Sequence, residues 1–125
     1  MAQIQAVAPI SNEDVNALPV KDLGPAIAFY EAVFGFTVVS RDSASAQLSR
    51  DDVQIGLIPK AEHKPGEAGS LAFKVDDLEA MHRELEGKNC ERGVFGNDQW
   101  GGKKFRTFFV REQENGYCYC FYQPV

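Results

Sequence analysis

The spacing of apolar residues along the chain predicts two amphipathic helices. In the first, apolar side chains recur every three or four positions between Leu23 and Phe34, and Gly35 is expected to end the helix. The second begins at Leu78 and ends before Gly87 by the same criteria. Each helix therefore has one apolar stripe that must pack against another element.

The other apolar segments are short and bounded by turn residues, which is typical of strands. Strands are predicted over Val15–Val20, Phe36–Arg41, Ser45–Ser49, Val53–Ile58, Ser70–Val75, Arg92–Phe95, Phe105–Val110 and Tyr117–Tyr122. The segment Pro59–Gly69 carries several Pro and Gly residues and is predicted to be a linker, and Gly96–Lys103 is predicted to be an irregular loop.

An internal repeat organises these elements. The string Val20-Lys21-Asp22-Leu23 recurs as Val75-Asp76-Asp77-Leu78, each time after an apolar segment and at the start of a helix. Each central Asp is placed to cap its helix. We therefore expect a single α+β domain over residues 1–125, built from two βαβββ modules at approximately residues 13–59 and 69–125.

Composition narrows the class of protein. A chain of 125 residues with 44% hydrophobic and 25% charged residues is typical of one globular domain. A net charge of −5 makes nucleic acid a poor partner. The sequence shows neither a secretory signal nor an apolar stretch long enough for a membrane, so a cytoplasmic protein is expected. Cys90, Cys118 and Cys120 are an odd number, and we predict that all three are reduced thiols.

Several short strings, taken in order, carry a family resemblance. They are Leu18-Pro19-Val20-Lys21-Asp22, Phe29-Tyr30 before Gly35-Phe36, Arg50-Asp51-Asp52-Val53, Leu71-Ala72-Phe73, Trp100-Gly101 and Gly116-Tyr117-Cys118. With the tandem βαβββ pattern, they make the chain resemble the vicinal-oxygen-chelate superfamily of glyoxalases, bleomycin resistance proteins and extradiol dioxygenases. The local strings are most similar to those of bleomycin resistance proteins.

The resemblance implies an α+β fold in which tandem βαβββ modules form curved mixed sheets around a cleft. A second subunit often completes that cleft, so a homodimer is expected. In metal-using members the ligands are His, Gln or Glu on strand positions that face the cleft. These residue types suit a divalent ion that needs nitrogen and oxygen donors around an open position.

The corresponding positions in this chain are Val15, Gly56, Ser70 and Cys120. Val15 and Gly56 offer no donor, Ser70 offers a weak neutral oxygen, and Cys120 stands where a Glu is expected. We therefore expect no metal, no other cofactor and no catalytic residues.

The residues expected to line the cleft are Gln54, Ser70, Trp100, Cys120 and Tyr122. Trp100 lies outside any periodic apolar face, so it is a candidate for stacking on a ligand, although it could equally cover the edge of the core. Cys120 could be a nucleophile, but a free Cys in a sheet is more often a small buried apolar residue. Alternation along the last strand places Tyr122 on the same face as Cys120.

The two histidines, His63 and His82, are expected at the surface. Acidic clusters occur at predicted turns and helix starts, where carboxylates have ordinary structural roles. We therefore assign neither group to a ligand site.

The leading hypothesis is a metal-independent protein that sequesters a small amphipathic molecule in an aromatic cleft, as bleomycin resistance proteins do. The alternative is a metal-dependent lyase, isomerase or dioxygenase whose ligands come from other positions. A third possibility is a module that binds a partner protein or has no ligand. The stretch around Pro9 could be exchanged between subunits or could remain in its own chain.

Overall fold

The computed structural model describes residues 2–11 and 14–125, and in these residues it contains ten strands, two α-helices and one short 3₁₀ helix, Pro65–Glu67. In chain order the elements are β1 (Ile4–Pro9), β2 (Leu18–Val20), α1 (Leu23–Phe34), β3 (Thr37–Arg41), β4 (Ala46–Arg50), β5 (Val53–Pro59), β6 (Ser70–Val75), α2 (Leu78–Glu84), β7 (Glu91–Arg92), β8 (Gly96–Trp100), β9 (Lys103–Arg111) and β10 (Cys118–Pro124). Neither helix of the described chain is long and apolar enough to cross a membrane.

The strands form two curved mixed sheets that do not close into a barrel. A four-stranded sheet has the order β2-β5-β4-β3. A six-stranded sheet has the order β1-β6-β10-β9, with β7 and β8 both paired to β9. In each sheet one pair is parallel, β2 with β5 and β6 with β10, and the other pairs are antiparallel. The predicted α+β class is confirmed.

The two halves of the chain share one strand register. Leu18 and Phe73 each lie four positions before the Asp that precedes a helix. Leu18 pairs with Leu57 in the first half, and Phe73 pairs with Phe121 in the second. The residues just before those partners, Gly56 and Cys120, are therefore equivalent. The repeat predicted from the sequence is present in the hydrogen bonding of both sheets.

Of the three residues predicted to begin or end a helix, the structure confirms two. Asp77 caps α2, since its side chain accepts a hydrogen bond from the backbone N–H of Ala80 at 3.0 Å. Gly35 ends α1 in the left-handed conformation, with φ at 70°. The cap predicted for Asp22 is wrong, because its side chain makes no capping hydrogen bond.

The sequence did not predict the first strand. β1 pairs antiparallel with β6, with Pro9 opposite Leu71, so the N-terminal segment lies in the six-stranded sheet formed mainly by the second half. It is an edge strand in which only Ile4 is buried. Edge strands show weak alternation because most of their side chains face solvent, and this explains why the pattern was missed.

The loop predicted over Gly96–Lys103 is wrong, because its first five residues form β8. This strand makes a hairpin with β9, in which Trp100 pairs with Lys103. Gly101 and Gly102 form the turn at positive φ values of 58° and 74°. The sequence pattern did not predict this strand because the residues between Gly96 and Trp100 are polar, and they face solvent or the open side of the sheet.

The core lies between the two sheets and the helices, and aromatic side chains dominate its centre. Phe34 of α1 packs edge-to-face against Tyr119 and Phe121 of β10, with ring centroids 4.8 and 5.5 Å apart. The buried hydroxyls of Tyr30 and Tyr119 are hydrogen-bonded at 2.7 Å. The prediction that this face of β10 packs under a helix is confirmed.

The linker between the halves is anchored by a buried histidine. His63 stacks on Tyr117 and its Nε2 is hydrogen-bonded to the carbonyl of Asn115 at 2.9 Å. The surface position predicted for His63 is therefore wrong. His82 is half-buried and contacts the carbonyl of Gly93. No local periodicity marks His63 as buried, because the residues that cover it come from the turn between β9 and β10.

A buried guanidinium joins four segments of the chain. Arg50, at the end of β4, is 8% exposed and donates to both carboxylate oxygens of Glu84, at 2.6 and 3.0 Å. It also donates to the carbonyls of Phe34 and Ala2, at 2.6 and 2.8 Å, and to the Asp51 carboxylate at 3.3 Å. The N-terminal segment, both helices and β4 therefore share one charged group.

We predict that Arg50→Met lowers the free energy of unfolding by about 3 kcal/mol, because it leaves the Glu84 carboxylate without its partner. Urea denaturation measures the change. The matched control is Glu79→Gln, which breaks the exposed pair between Glu79 and Arg106 and should cost less than about 1 kcal/mol. Equal losses in the two variants would contradict the role given to Arg50.

Candidate functional site

A cavity of about 490 Å³ opens on the face of the six-stranded sheet that points away from the core. We call it the Trp100 cavity. Its walls are formed by Ala8, Pro9, Ile10, Ala72, Asp98, Trp100, Phe109, Cys120 and Tyr122. Strand pairing brings these residues together, since β1, β6, β10, β9 and β8 lie side by side across the sheet. Most of the wall is apolar or aromatic.

The aromatic part of the wall is a packed cluster of three rings. Trp100 stacks on Phe105 with ring centroids 3.9 Å apart and an angle of 12° between the planes. Tyr122 meets both rings edge-on, at 5.3 and 5.4 Å. Trp100 remains 42% exposed, so this packing leaves part of its surface free. A planar ligand can stack on such a surface or bury apolar area against it.

Cys120 lies at the floor of the cavity and is 4% exposed. Burial, with smaller contributions from the nearby Asp98 carboxylate and from Cys118, raises the pKa of its thiol to about 11. The thiol is therefore protonated at neutral pH and is a poor nucleophile. Cys90, Cys118 and Cys120 are all free cysteines.

Asp98 is the only charged residue in the wall of the Trp100 cavity, as far as the described residues extend. Its Oδ2 accepts a hydrogen bond from the hydroxyl of Thr107 at 2.7 Å. No residue of the described chain donates to its other oxygen, Oδ1. One oxygen is thus fixed by the protein, and the other is free for a ligand.

Three of the five residues predicted to line the cleft come together here, and two lie elsewhere. Trp100, Cys120 and Tyr122 surround the cavity. Gln54 is exposed on the four-stranded sheet, where its amide contacts Gln47 at 3.3 Å. Ser70 begins β6 outside the wall and pairs with Cys118. In a single chain, Gln54 and Ser70 therefore lie apart from the other three.

The sequence prediction missed Asp98, Phe109, Ala72 and the end of β1 as parts of the wall. For Phe109, the signal was available, since alternation from the buried Phe108 sends it to the opposite face. Asp98 and Trp100 are two residues apart and share a face of β8. That relation is visible only once the segment is recognised as a strand.

A second cavity, of about 420 Å³, lies near the turn between β9 and β10. Its wall consists mainly of exposed charged side chains such as Lys88, Glu91 and Arg111, together with the buried Glu112. Burial raises the pKa of the Glu112 carboxyl group. Because little apolar surface is available here, the Trp100 cavity is the better candidate for binding an organic molecule.

The residues at the superfamily's metal positions do not fit a divalent ion. Val15 has a hydrocarbon side chain, and its carbonyl is already bonded to the N–H of Gly56 at 2.9 Å. A Cβ on Gly56 would lie 2.0 Å from the carbonyl oxygen of Asn16, so the turn at residues 14–17 fills the space that a ligand side chain would need. Cys120 holds its proton strongly, and Ser70 is a weak donor.

The same turn makes the two halves of the fold differ. In the second half, β6 begins at Ser70, the position equivalent to Val15, and continues along β10. In the first half, β2 begins only at Leu18, and the preceding residues fold over Gly56. No group of three or more His, Cys, Asp or Glu side chains in residues 2–11 and 14–125 could hold a metal ion.

The comparison with known families agrees with this architecture. The family model of the glyoxalase/bleomycin resistance protein/dioxygenase superfamily matches residues 10–115. The chain belongs to this superfamily. None of the curated proteins matches the chain significantly.

Solved structures share the fold along nearly the whole chain. A bleomycin resistance determinant encoded on the transposon Tn5 superposes with a TM-score of 0.75 at 20% identity, covering 90% of this chain and 98% of that one. A bleomycin-binding protein from Streptomyces verticillus, complexed with copper(II)-bleomycin, gives 0.69 at 21% identity, with coverages of 89% and 94%. A protein from the mobile metagenome of V. pseudocholerae gives 0.69 at 25% identity, with coverages of 93% and 96%.

We predict that Gly56→Ala lowers the free energy of unfolding by about 1–3 kcal/mol, because the added methyl group meets the Asn16 carbonyl and displaces the turn. Thermal and urea denaturation measure the loss. Gly66→Ala is the matched control, since nothing lies within 4 Å of its added Cβ, and it should change stability by less than about 0.5 kcal/mol. A Gly56→Ala protein as stable as the parent would show that the turn does not close this position.

Proposed function

We propose that this protein binds and sequesters a small amphipathic molecule in the Trp100 cavity, without metal-dependent chemistry. The observation that carries the proposal is an open cavity with an exposed Trp100 face beside a deeply buried Cys120. Its volume of about 490 Å³ falls within the range of roughly 300–1,000 Å³ that is usual for ligand pockets.

The wall chemistry supports binding rather than catalysis. Trp100, Phe109, Tyr122 and the end of β1 offer apolar area, and each Å² removed from water contributes about 25 cal/mol. The protonated Cys120 thiol supplies neither a nucleophile nor a base at neutral pH. Stacking and apolar burial would therefore supply most of the affinity.

The relatives suggest the kind of ligand. Two of the solved structures of this fold are bleomycin-binding proteins in complex with bleomycin or copper(II)-bleomycin. At 20–21% identity they support the fold and the mode of action, which is capture of a drug-sized molecule. Bleomycin is accordingly one candidate in a screen of amphipathic compounds.

We further propose that the protein acts as a homodimer in which a second copy covers the cavity. Trp100, Phe109 and Ile10 are large apolar side chains that remain exposed around its mouth. Gln54 lies on the four-stranded sheet and could reach a ligand only from the second copy. Ser70 borders the same face as the cavity. The proposed site of action is the cytoplasm.

A metal-dependent lyase, isomerase or dioxygenase is the competing function. Elemental analysis of protein dialysed against nickel, zinc, manganese and ferrous iron separates the two proposals. Sequestration predicts a metal-to-chain ratio near zero under all four conditions. A ratio near one that is lost when a cavity residue is changed would make the protein a metalloenzyme.

Trp100→Ala should weaken the binding of a ligand found in an amphipathic panel by at least about tenfold, since truncation of a large buried aromatic side chain at an interface commonly costs more than 1 kcal/mol. Isothermal titration calorimetry measures the affinity, and Trp100→Phe should retain most of it. Val39→Ala, which truncates an exposed apolar residue on β3, is the control and should leave the affinity unchanged. The proposal fails if Trp100→Ala and Val39→Ala bind equally well.

A further inference from the structure

We infer that Asp98 makes the Trp100 cavity selective for organic cations that carry a planar aromatic group. The inference rests on the proposed ligand-binding function and narrows it to a chemical class of ligand. Its basis is the position of one unshared carboxylate oxygen beside an exposed aromatic surface in a cavity that is otherwise uncharged.

The charge in the cavity has one sign. The wall formed by the described residues contains one carboxylate, from Asp98, and no Lys, Arg or His. Lys74 pairs with Tyr122 across β6 and β10, but it is not part of the wall. A cationic ligand would therefore find an attractive charge, whereas an anionic ligand would meet repulsion without a compensating cation.

The carboxylate and the aromatic surface are arranged to act on one ligand. Asp98 and Trp100 are two residues apart on β8 and therefore lie on the same face of the strand. Asp98 also pairs with Phe105, the ring on which Trp100 stacks. An organic cation can place its charge near the carboxylate while its ring system lies against the indole. Attraction between a cation and an aromatic face adds to the ion pair.

Two further contacts support this assignment. The hydroxyl of Thr107, which is buried, holds Oδ2 of Asp98, so the direction of the carboxylate is fixed before a ligand arrives. The charge of Asp98 also contributes to the raised pKa of Cys120 at the cavity floor. The carboxylate therefore acts on the interior of the cavity as well as on its rim.

The test uses two probes that share one ring system and differ in charge at pH 8, with 9-aminoacridine as the cation and acridine as the neutral compound. Calorimetric titration of the parent protein should give about five- to tenfold tighter binding of 9-aminoacridine. In Asp98→Asn, which keeps the shape of the side chain, the two probes should bind equally. Thr107→Val should give a smaller loss for the cation alone, because the carboxylate is retained but no longer oriented.

Glu86→Gln is the control for net charge, since it removes one exposed carboxylate outside the cavity and should preserve the preference. Equal binding of the two probes by the parent protein, or an unchanged preference in Asp98→Asn, would overturn the assignment while leaving ligand binding intact. If neither probe binds at millimolar concentration, the assignment to planar aromatic cations is overturned, whereas the amphipathic panel decides separately whether the cavity binds any ligand.

Discussion

The alternation of side chains along β10 is the constraint on which the fold and the candidate site both depend. Tyr119 and Phe121 point into the core, where they meet α1. Cys120 and Tyr122 point the opposite way and form the floor and one wall of the cavity. A shift of β10 by one residue in its pairing register would exchange the core-facing and cavity-facing side chains. The large buried rings that stabilise the core therefore also fix which residues are available to a ligand.

Both halves of the chain pair two parallel strands in the same register, but they differ at one pair of equivalent positions, Gly56 and Cys120. In the first half, the turn at residues 14–17 lies over Gly56, and no side chain fits there. In the second half, the equivalent strand stays extended, and Cys120 reaches the cavity. Trp100, Phe109 and Tyr122 give this second-half face an aromatic lining.

Elements with strong periodicity could be predicted from the sequence, and positions set by distant contacts could not. The repeat around Asp22 and Asp77 and the two faces of β10 follow from local pattern and chain order. His63 did not, since its burial depends on a turn more than fifty residues away. The same limit explains why Trp100, Cys120 and Tyr122 lie around one cavity while Gln54 and Ser70 lie outside its wall. Only the pairing of strands decides which sheet each residue occupies.

The central claim is that the open face of the six-stranded sheet binds a small molecule. The most direct test is a ¹H–¹⁵N correlation spectrum of the labelled protein, recorded during titration with a ligand from the amphipathic panel. Binding in the Trp100 cavity predicts that the largest shift changes fall on the backbone amides of Ala72, Asp98 and Cys120 and on the Trp100 indole N–H. Changes centred on Gln47 and Gln54 of the four-stranded sheet, with the cavity signals unmoved, would contradict it.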